Sequence, residues 1–485
     1  MAKRRSVYER LTSERTNRKQ RKELQRRRLY SDNPGLDIVH PNAAGIDIGN
    51  ESHFVAVAPA RDAEPVREFG SWTADLNHMA EWLKSCGIDT VVMQSTGVYW
   101  FAVYDVLEKR GFKVFLVNAR HTKNLPGRKS DVQESQWLLK LHTYGLLRNS
   151  FRPPEDIRPL RAVWRLRDRH VEEASRSIQH MQKALTSMNL HLANVISDIS
   201  GVSGQAIIRS ILAGERDPNK LARLCDRRVK ASEEEVARSL EGNWQEEQLF
   251  ELRQAVDEYD FRQKQLAECD DRLKAYLAVL PTRLLTPHEP PNVMPPTGGS
   301  AGKKKRAKKI GGGNAPKSFD LAAELLRVTG VDALRVEGLN LMTIQTVVAE
   351  LGTDLGAWWP TEQEFASWLQ LSPRPDISSG KVIRHTREKN RNRVAGALRM
   401  AATSLLHSDS YLGARYRHYR AKLETKKAIK AMAHYLACIV YRLFTKGQQW
   451  VDRGAQQFEQ NRQERELARL QKQADLRGFR LIPVS

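Results

Sequence analysis

The chain has 485 residues, enough for two or three domains with cores of their own. Lysine and arginine number 79 against 57 acidic residues, which gives a net charge of +22. This charge favours a protein that acts on nucleic acid over an otherwise ordinary basic protein, such as a ribosome-associated factor. The four cysteines lie far apart, which argues against a disulfide framework or zinc knuckle, and no stretch approaches the ~20 apolar residues of a membrane span.

Residues 1–40 are dense in charge and carry almost no core material. This pattern predicts a flexible or conditionally helical basic arm, with a solvated tail of no specific role as the alternative. The opening MAKRRSVYERL lacks the apolar core of a signal peptide, so we expect a soluble, cytoplasmic protein.

Residues 41–150 have the pattern of a compact α/β unit. Three short strand-like runs come first, GIDIG, FVAVAPA and VREFGSW. TADLNHMAEWLKSCG then has helical spacing, with Thr73 as the expected N-cap and Gly87 as the stop. Strand, helix, strand and helix follow in DTVVMQS, GVYWFAVYDVLEKRG, KVFLVNA and DVQESQWLLKLHTYGLL. The order β-β-β-α-β-α-β-α predicts a ribonuclease H-like arrangement.

Asp47 interrupts the first of these strands, where a carboxylate is costly unless something positive neutralises it. In the expected arrangement, Asp47 and the end of the fourth strand, Gln94, converge with acids on the last helix. Asp131 and Glu134 open that helix three residues apart and so share a face. Oxygen donors of this kind suit Mg²⁺, and two such ions can support phosphodiester cleavage. The alternative for the helical pair is interaction with the helix dipole.

Four motifs together resemble the IS-one-ten family of insertion-sequence transposases: GIDIG, MQSTGVYW, NARHTKNLPGRKSDVQESQWL and, much later, SSGK. The resemblance covers about residues 41 to 450. These are DEDD-type, RuvC-like recombinases that are guided by a bridge RNA and carry a catalytic serine in a second domain. The resemblance implies a RuvC-like domain, a coiled-coil segment and a mainly helical transposase domain. It also implies Mg²⁺ dependence and assembly of a homo-oligomer, a dimer or tetramer, on donor and target DNA.

The acids of the family can be carried over by motif. Asp47 matches the first acid and Asp131 the third, and Glu134 falls where the fourth acid is usually Asp. Gln94 falls where the pattern has Glu. A glutamine can lend its amide oxygen to a cation but adds no negative charge, which weakens cation affinity or shifts the balance between one and two ions. The alternative is a degenerate metal centre in a protein that only binds nucleic acid.

Residues 151–280 are mostly helical by pattern, with two long, charge-rich segments at 161–196 and 246–280. They predict either a coiled coil that joins subunits or an antiparallel hairpin within one chain. Residues 281–318 are rich in Pro and Gly and predict a disordered basic linker. Its run KKKRAKK is expected to touch nucleic acid electrostatically, or to be a plain tether; the residues chosen are Lys303, Lys304, Lys305 and Arg306.

Residues 319–450 begin with a stretch that resembles a helix-hairpin-helix. Gly338 lies in the expected turn before a helix that starts near Leu341, and such turns can offer backbone amides to a phosphate. Further on, Ser378 and Ser379 precede Gly380 among basic residues that we expect to bind nucleic acid: Lys381, Arg384, Arg387, Lys389, Arg391 and Arg393.

A serine hydroxyl attacks phosphorus only if its proton is removed and the phosphate charge is offset, and a Gly-flanked serine among bases has such surroundings. The resemblance implies Ser378 as the nucleophile, counted back from Lys381, with Ser379 as a close second. From the residues alone, a phosphate-binding loop is the alternative.

Residues 451–485 predict a charged helix for packing or assembly. Taken together, we expect a nucleoid-associated prokaryotic transposase that cuts and rejoins DNA with Mg²⁺ and a serine. The alternatives are a metal-dependent junction resolvase or nuclease without serine chemistry, and a nucleic-acid-binding scaffold with a degenerate metal site.

Overall fold

The computed structural model describes residues 37–94, 97–118, 130–283, 314–373, 375–378, 381–385, 392–447 and 454–480. The chain divides into two compact units, Met1–Arg152 and Pro153–Ser485. Most of the predicted basic arm and of the predicted linker lies outside the described residues, and so do the four linker residues chosen for nucleic-acid contact: Lys303, Lys304, Lys305 and Arg306.

A mixed five-stranded sheet forms the centre of the first unit. Its strands are β1 (Ala43–Ile48), β2 (Ser52–Val57), β3 (Val66–Gly70), β4 (Thr90–Gln94) and β5 (Lys113–Val117). They lie in the order β3-β2-β1-β4-β5. The pairs β1–β2 and β2–β3 are antiparallel, whereas β1–β4 and β4–β5 are parallel. This topology agrees with the ribonuclease H-like arrangement that the element order predicts.

Three helices cover the sheet: α1 (Thr73–Ser85), α2 (Trp100–Lys109) and α3 (Asp131–Thr143). Successive strand residues point to opposite faces. On one face Ile46 and Met93 belong to a buried cluster that includes side chains of α1 and α2. On the other face Val92 packs with Leu138 of α3. Asp47, next to Ile46 along β1, therefore lies on the face that α3 covers.

The boundaries of α1 test two sequence predictions. The N-cap is Trp72, not the predicted Thr73, and Trp72 makes no side-chain hydrogen bond as a cap. The prediction fails because Trp72 still has extended dihedral angles, φ −74° and ψ 150°, so the helix begins one residue earlier than a threonine cap requires. Gly87, the predicted stop, follows the C-cap with φ +66°, a left-handed conformation that glycine adopts readily.

The second unit begins with helices α4 (Ile157–Ser187), α5 (Leu192–Val195), α6 (Val202–Leu212), α7 (Pro218–Ala222), α8 (Glu233–Ser239) and α9 (Glu246–Val279). The short helices α5 to α8 pack with parts of α4 and α9 in one buried cluster.

The two long helices α4 and α9 run antiparallel and pair with each other. Arg167 of α4 contacts Asp270 of α9, and ten residues further along α4 the hydroxyl of Ser177 donates to Glu258, which is earlier on α9. The structure thus contains the hairpin within one chain that the sequence left open. A role of these helices in joining subunits stays a prediction.

The remaining elements are α10 (Leu321–Thr329), α11 (Leu341–Leu351), α12 (Glu362–Trp368), the hairpin strands β6 (Pro375–Ser378) and β7 (Lys381–His385), α13 (Arg393–Ser404), α14 (Tyr411–Lys422), α15 (Thr425–Lys446) and α16 (Gly454–Asp475). Helix α15 is buried along much of its length and packs against α12, α13 and α14. None of the described helices combines the length and apolar character needed to cross a membrane.

Gly338 lies in the turn before α11, as predicted, and has φ +87°. A Cβ atom there would lie 2.8 Å from the carbonyl oxygen of Ala401 in α13. The close approach of two helical segments therefore accounts for this glycine by itself. Phosphate binding at the turn stays a prediction.

Candidate active site

Gly45 allows α3 to cross β1 in direct contact. A Cβ atom at Gly45 would lie 2.4 Å from the backbone nitrogen of Leu139 and 2.4 Å from the backbone oxygen of Ser135. No side chain larger than hydrogen fits between strand and helix here. Asp47 is two residues further along β1 and so projects from the same face as Gly45. The missing side chain at Gly45 thus brings the first turns of α3 close to Asp47.

Gln94 and Glu134 are in direct contact at this face. Gln94 is the last residue of β4 and is 4% exposed. Its amide Nε2 donates a hydrogen bond of 2.7 Å to Oε1 of Glu134 on α3. The parallel register pairs Ile46 with Met93, so the next residues along the two strands are Asp47 and Gln94. Two adjacent strands and one helix therefore present three of the four predicted ligands on a single face.

Asp131 is the first residue of α3 and is exposed. The helix begins there because the side chain of Ser130 caps it, accepting a 3.3 Å hydrogen bond from the backbone nitrogen of Gln133. Asp131 and Glu134 lie one turn apart near this N-terminus, where the helix dipole stabilises carboxylates. The contribution of the dipole, which the sequence left as an alternative, is therefore compatible with a metal-binding role of the same pair.

The predicted ligands offer the type of atom that a hard cation prefers, but few of them are acidic. Carboxylate and amide oxygens are the ligands that Mg²⁺ takes. Within the described ranges, no group of three or more His, Cys, Asp or Glu is arranged to hold a metal ion. Gln94 occupies the place where the family pattern has an acid, and its amide nitrogen is turned toward a carboxylate oxygen that a cation would use. The residues fit Mg²⁺ if the amide of Gln94 rotates.

A buried histidine near the C-terminal end of α3 contacts the start of β4, at the opposite end of that strand from Gln94. His142 is 1% exposed, stacks on His40 with ring centroids 4.4 Å apart, and its Nε2 lies 2.9 Å from the hydroxyl of Thr90 on β4. Burial, with the nearby charges of His40 and Lys113, lowers the pKa of His142 to about 4. A neutral imidazole thus joins α3 to the start of β4.

The predicted nucleophile lies in the second unit. Ser378 ends β6, is exposed, and pairs with Lys381, the first residue of β7. Ser378 and Lys381 are thus register partners in an antiparallel pair of strands. Ser379 lies outside the described residues.

The basic residues predicted to bind nucleic acid have different outcomes. Arg384 lies on β7, whereas the other members of the run are outside the described residues: Arg387, Lys389 and Arg391. Arg393 begins α13, and its guanidinium donates a 2.6 Å hydrogen bond to Asp168 of α4. Asp168 thereby neutralises part of the positive charge of Arg393. The local sequence does not reveal this pair, because the two residues are 225 positions apart.

The sequence did not predict a cluster of arginines that lies beside Arg393. Glu350 of α11 is 4% exposed and accepts hydrogen bonds of 2.8 Å from Arg161 and 2.7 Å from Arg165, both on α4. The spacing of four residues puts both arginines on one face of α4. That spacing is the only signal in the sequence, because the carboxylate they share lies far along the chain.

The first unit, with a mixed sheet and carboxylates on one face, agrees with a RuvC-like nuclease domain. Comparison with known proteins adds two matches. Residues 44–190 match a model for DEDD-type IS110 transposases, described as a transposase, and residues 333–417 match a model described as the transposase IS116/IS110/IS902 family. None of the curated proteins matches the chain.

Two separate segments of the chain are thus similar to transposases of the IS110 (IS-one-ten) type. The first matched segment contains Asp47, Gln94, Asp131 and Glu134, and the second contains α11 and Ser378. The family implies an enzyme that cuts and rejoins DNA, and the resemblance found in the sequence is confirmed at that level. Serine chemistry, the metal and the guide RNA stay predictions.

Proposed function

We propose that the chain transfers DNA strands through two sets of residues. Asp47, Asp131 and Glu134, with the amide oxygen of Gln94, form a Mg²⁺ site, and a serine of the β6–β7 hairpin is the nucleophile. The observation that carries the proposal is the contact between Gln94 and Glu134, because it joins two of the predicted ligands on the face that also bears Asp47.

The serine step follows from ordinary phosphoryl chemistry. The hydroxyl of Ser378, or of Ser379 as the second choice, loses its proton and its oxygen forms a bond to a DNA phosphorus. The bond from that phosphorus to a deoxyribose oxygen breaks, and the released DNA hydroxyl takes up a proton. Attack by the hydroxyl of another DNA end reverses the step and frees the serine. The exposed position of Ser378 at a hairpin end gives a DNA backbone access to it.

Mg²⁺, when bound, supplies positive charge that offsets the developing charge on the phosphate. The chain's own residues position it. Asp47 is held on a central strand, and Glu134 is held by the capped first turn of α3. The amide of Gln94 keeps Glu134 in place and makes the site one negative charge poorer than a site with four acids.

Donor and target DNA would be held by the strongly basic surface, with its net charge of +22. We further propose that an element-encoded bridge RNA selects the target by base pairing, and that the chain acts as a homo-oligomer. Support for both comes from the resemblance to the IS110 family. The protein would then recognise mainly the shape and backbone of its nucleic acids.

A second candidate is a nucleic-acid-binding scaffold with an inactive metal site. The observation in its favour is the hydrogen bond from Gln94 to Glu134. It occupies the carboxylate of Glu134 with a neutral amide, whereas an acid at position 94 would increase the affinity for a cation. A third possibility is a nuclease that cleaves DNA with the acidic residues and without the serine.

A strand-cleavage assay separates the three. Protein, RNA and DNA are incubated with Mg²⁺, and the wild type is compared with the Asp47→Asn variant and the Ser378→Ala/Ser379→Ala double variant. The recombinase requires both sites, so both variants lose strand transfer. If the protein is a nuclease, the serine double variant still cleaves DNA. If it is a scaffold, neither the wild type nor either variant cleaves DNA. Either of the last two results contradicts the proposal.

A further inference from the structure

Two helix faces in the C-terminal part of the second unit carry aromatic and cationic side chains at helical spacing. On α14 these are Tyr411, Arg415, His418 and Tyr419, and on α16 they are Phe458, Asn461, Arg462 and Arg465. Intervals of three and four residues put each set on one side of its helix. The two sides face each other and line an open cavity of about 220 Å³.

Ring contacts hold the two helices together at this cavity. The ring of Phe458 packs edge-on against Tyr411, with centroids 5.3 Å apart, and lies 5.9 Å from the ring of His418. Phe458 is 8% exposed and anchors α16. The rings of Tyr411, His418 and Tyr419 are half-buried and line the cavity.

The guanidinium groups give the cavity a positive charge. Arg415 lies over the ring of Tyr435 at 3.8 Å and donates a 2.9 Å hydrogen bond to the hydroxyl of Tyr419. Arg462 is 3.1 Å from Glu459, which is not among the lining residues. Three arginines and no carboxylate line the cavity. Burial, followed by the charges of Lys422 and Arg462, lowers the pKa of His418, whereas the charge of Glu459 opposes this shift.

We propose that this cavity binds one unpaired nucleotide of a single-stranded nucleic acid. Unpaired bases stack on aromatic and guanidinium planes, and the stacking tolerates any base because every base has a π-face. Arg462 and Arg465 would contact the adjoining phosphate, and Asn461 would hydrogen-bond an edge of the base. The cavity is smaller than the ~300–1,000 Å³ of pockets for drug-sized ligands, which suits a single base.

The site shares no residue with the proposed strand-transfer sites, and the proposal does not depend on them. It requires only that the chain meets single-stranded RNA or DNA, which its net charge of +22 favours. RNA and DNA share the chemistry that the cavity recognises, so the experiment has an arm for each. The competing explanation is that the rings serve only to dock α16 on α14.

Photocrosslinking of the wild-type chain tests the site without any substitution. The probes are single strands of about 12 nucleotides, the length range of single-strand binding sites, as oligouridine and as oligothymidine with one iodinated base each. Crosslinks mapped to the peptides that contain Tyr411, Tyr419 or Phe458 support the proposal. Crosslinks confined to other segments with both probes overturn it. Crosslinks with one probe alone support it and identify the sugar that is preferred.

A substitution series measures the base-dependent part of binding, by fluorescence anisotropy without Mg²⁺. Each variant is assayed with oligouridine and with an abasic strand of the same length. Tyr411→Leu should weaken oligouridine binding about 10-fold and leave abasic binding unchanged, since one stacked base is lost. Phe250→Leu on α9, which is 64% exposed and outside the cavity, is the matched control. An unchanged ratio in a Tyr411→Leu variant that keeps the wild-type circular dichroism overturns the proposal.

The phosphate contact has its own pair of variants. Arg465→Gln should lower the slope of log affinity against log salt by about one, the effect expected for one lost phosphate contact. Arg420→Gln removes the same charge from an exposed position on α14 outside the cavity and should leave the slope as in the wild type. Equal slopes in Arg465→Gln and the wild type contradict the assignment.

Discussion

The amide of Gln94 donates a 2.7 Å hydrogen bond to the carboxylate of Glu134 and so joins the end of β4 to the first turn of α3. A carboxylate at position 94 would face Glu134 with like charge, whereas the amide holds it by attraction. The pair therefore joins β4 to α3 by its own hydrogen bond.

Replacing Gln94 by Glu should lower the stability of the chain without Mg²⁺ and raise its affinity for Mg²⁺. Without Mg²⁺, the Gln94→Glu variant should be destabilised by about 1–3 kcal/mol, because the hydrogen bond is lost and two carboxylates meet. Added Mg²⁺ should stabilise the variant more than the wild type, since a fourth acid raises cation affinity and ligand binding stabilises the folded state. Thermal melts with and without Mg²⁺ measure both effects.

The matched control is Gln133→Glu, an exposed position in the same turn of α3 that adds the same charge. We expect it to change the melting temperature little in either condition. If Mg²⁺ shifts the melting temperature of Gln94→Glu and of the wild type equally, the assignment of this face as a metal site is wrong.

Gly45 should not tolerate any side chain. Gly45→Ala places a methyl group 2.4 Å from the backbone of Leu139, and backbone cannot move aside as a flexible side chain can. We expect a loss of about 3 kcal/mol in the free energy of unfolding, the scale of overpacking in a core. Gly396→Ala in α13 is the control, because its nearest neighbouring atom is 3.9 Å away. Urea denaturation should show the control to be neutral or more stable by up to about 1 kcal/mol.

The stability of the first unit should fall at mildly acid pH. The pKa of His142 is about 4 in the folded chain and 6.5 without its surroundings, so the unfolded chain binds a proton in this window that the folded chain does not. Stability is therefore full above pH 6.5 and decreases down to about pH 4. The expected loss between about pH 7 and pH 5 is on the order of 2 kcal/mol.

Hydrogen exchange of the α3 amides at the two pH values measures this loss, and His142→Gln is the comparison. Glutamine does not titrate and can still bond the hydroxyl of Thr90, which lies 2.9 Å from the imidazole in the wild type. The variant should lose less protection on acidification. Identical losses in both proteins would exclude His142 as the cause.

The pairing of α4 with α9 contains a buried ion pair whose disruption should be costly. Arg167 and Asp270 are 2.5 Å apart, and their side chains are 4% and 7% exposed. Asp270→Asn leaves a buried guanidinium without its charge partner and should cost about 3–5 kcal/mol. Asp260→Asn breaks the exposed pair with Arg209 and should cost at most about 1 kcal/mol. Chemical denaturation compares the two, and equal effects would contradict the role given to burial.

Local patterns were sufficient for much of the fold. Most strands of the sheet are short, largely apolar runs between turn residues, although β3 contains Arg67 and Glu68. Gly87 ends its helix as predicted because a left-handed stop has a clear sequence signal. The error at the start of the same helix has an equally local origin. Threonine is a good cap in general, but the chain leaving β3 is still extended at Trp72.

Contacts between distant positions were beyond the sequence. The sequence predicted that Gln94 and Glu134 converge, but not that the amide of Gln94 donates a hydrogen bond to the carboxylate of Glu134 across 40 positions. The amphipathic pattern of α4 and α9 is the same whether the partner helix belongs to the same chain or to another subunit. Arg393 was expected to face nucleic acid, yet it also binds Asp168 of α4, which only the three-dimensional structure reveals.

A serine of the β6–β7 hairpin is proposed to form a covalent bond to DNA when Mg²⁺ is present. Protein, RNA and DNA are incubated with Mg²⁺, denatured, digested with protease and analysed by mass spectrometry for a nucleotide on serine. We predict an adduct at Ser378, or at Ser379, that is absent without Mg²⁺ and absent in Asp47→Asn. DNA cleavage under the same conditions with no adduct on either serine would show that neither serine is the nucleophile.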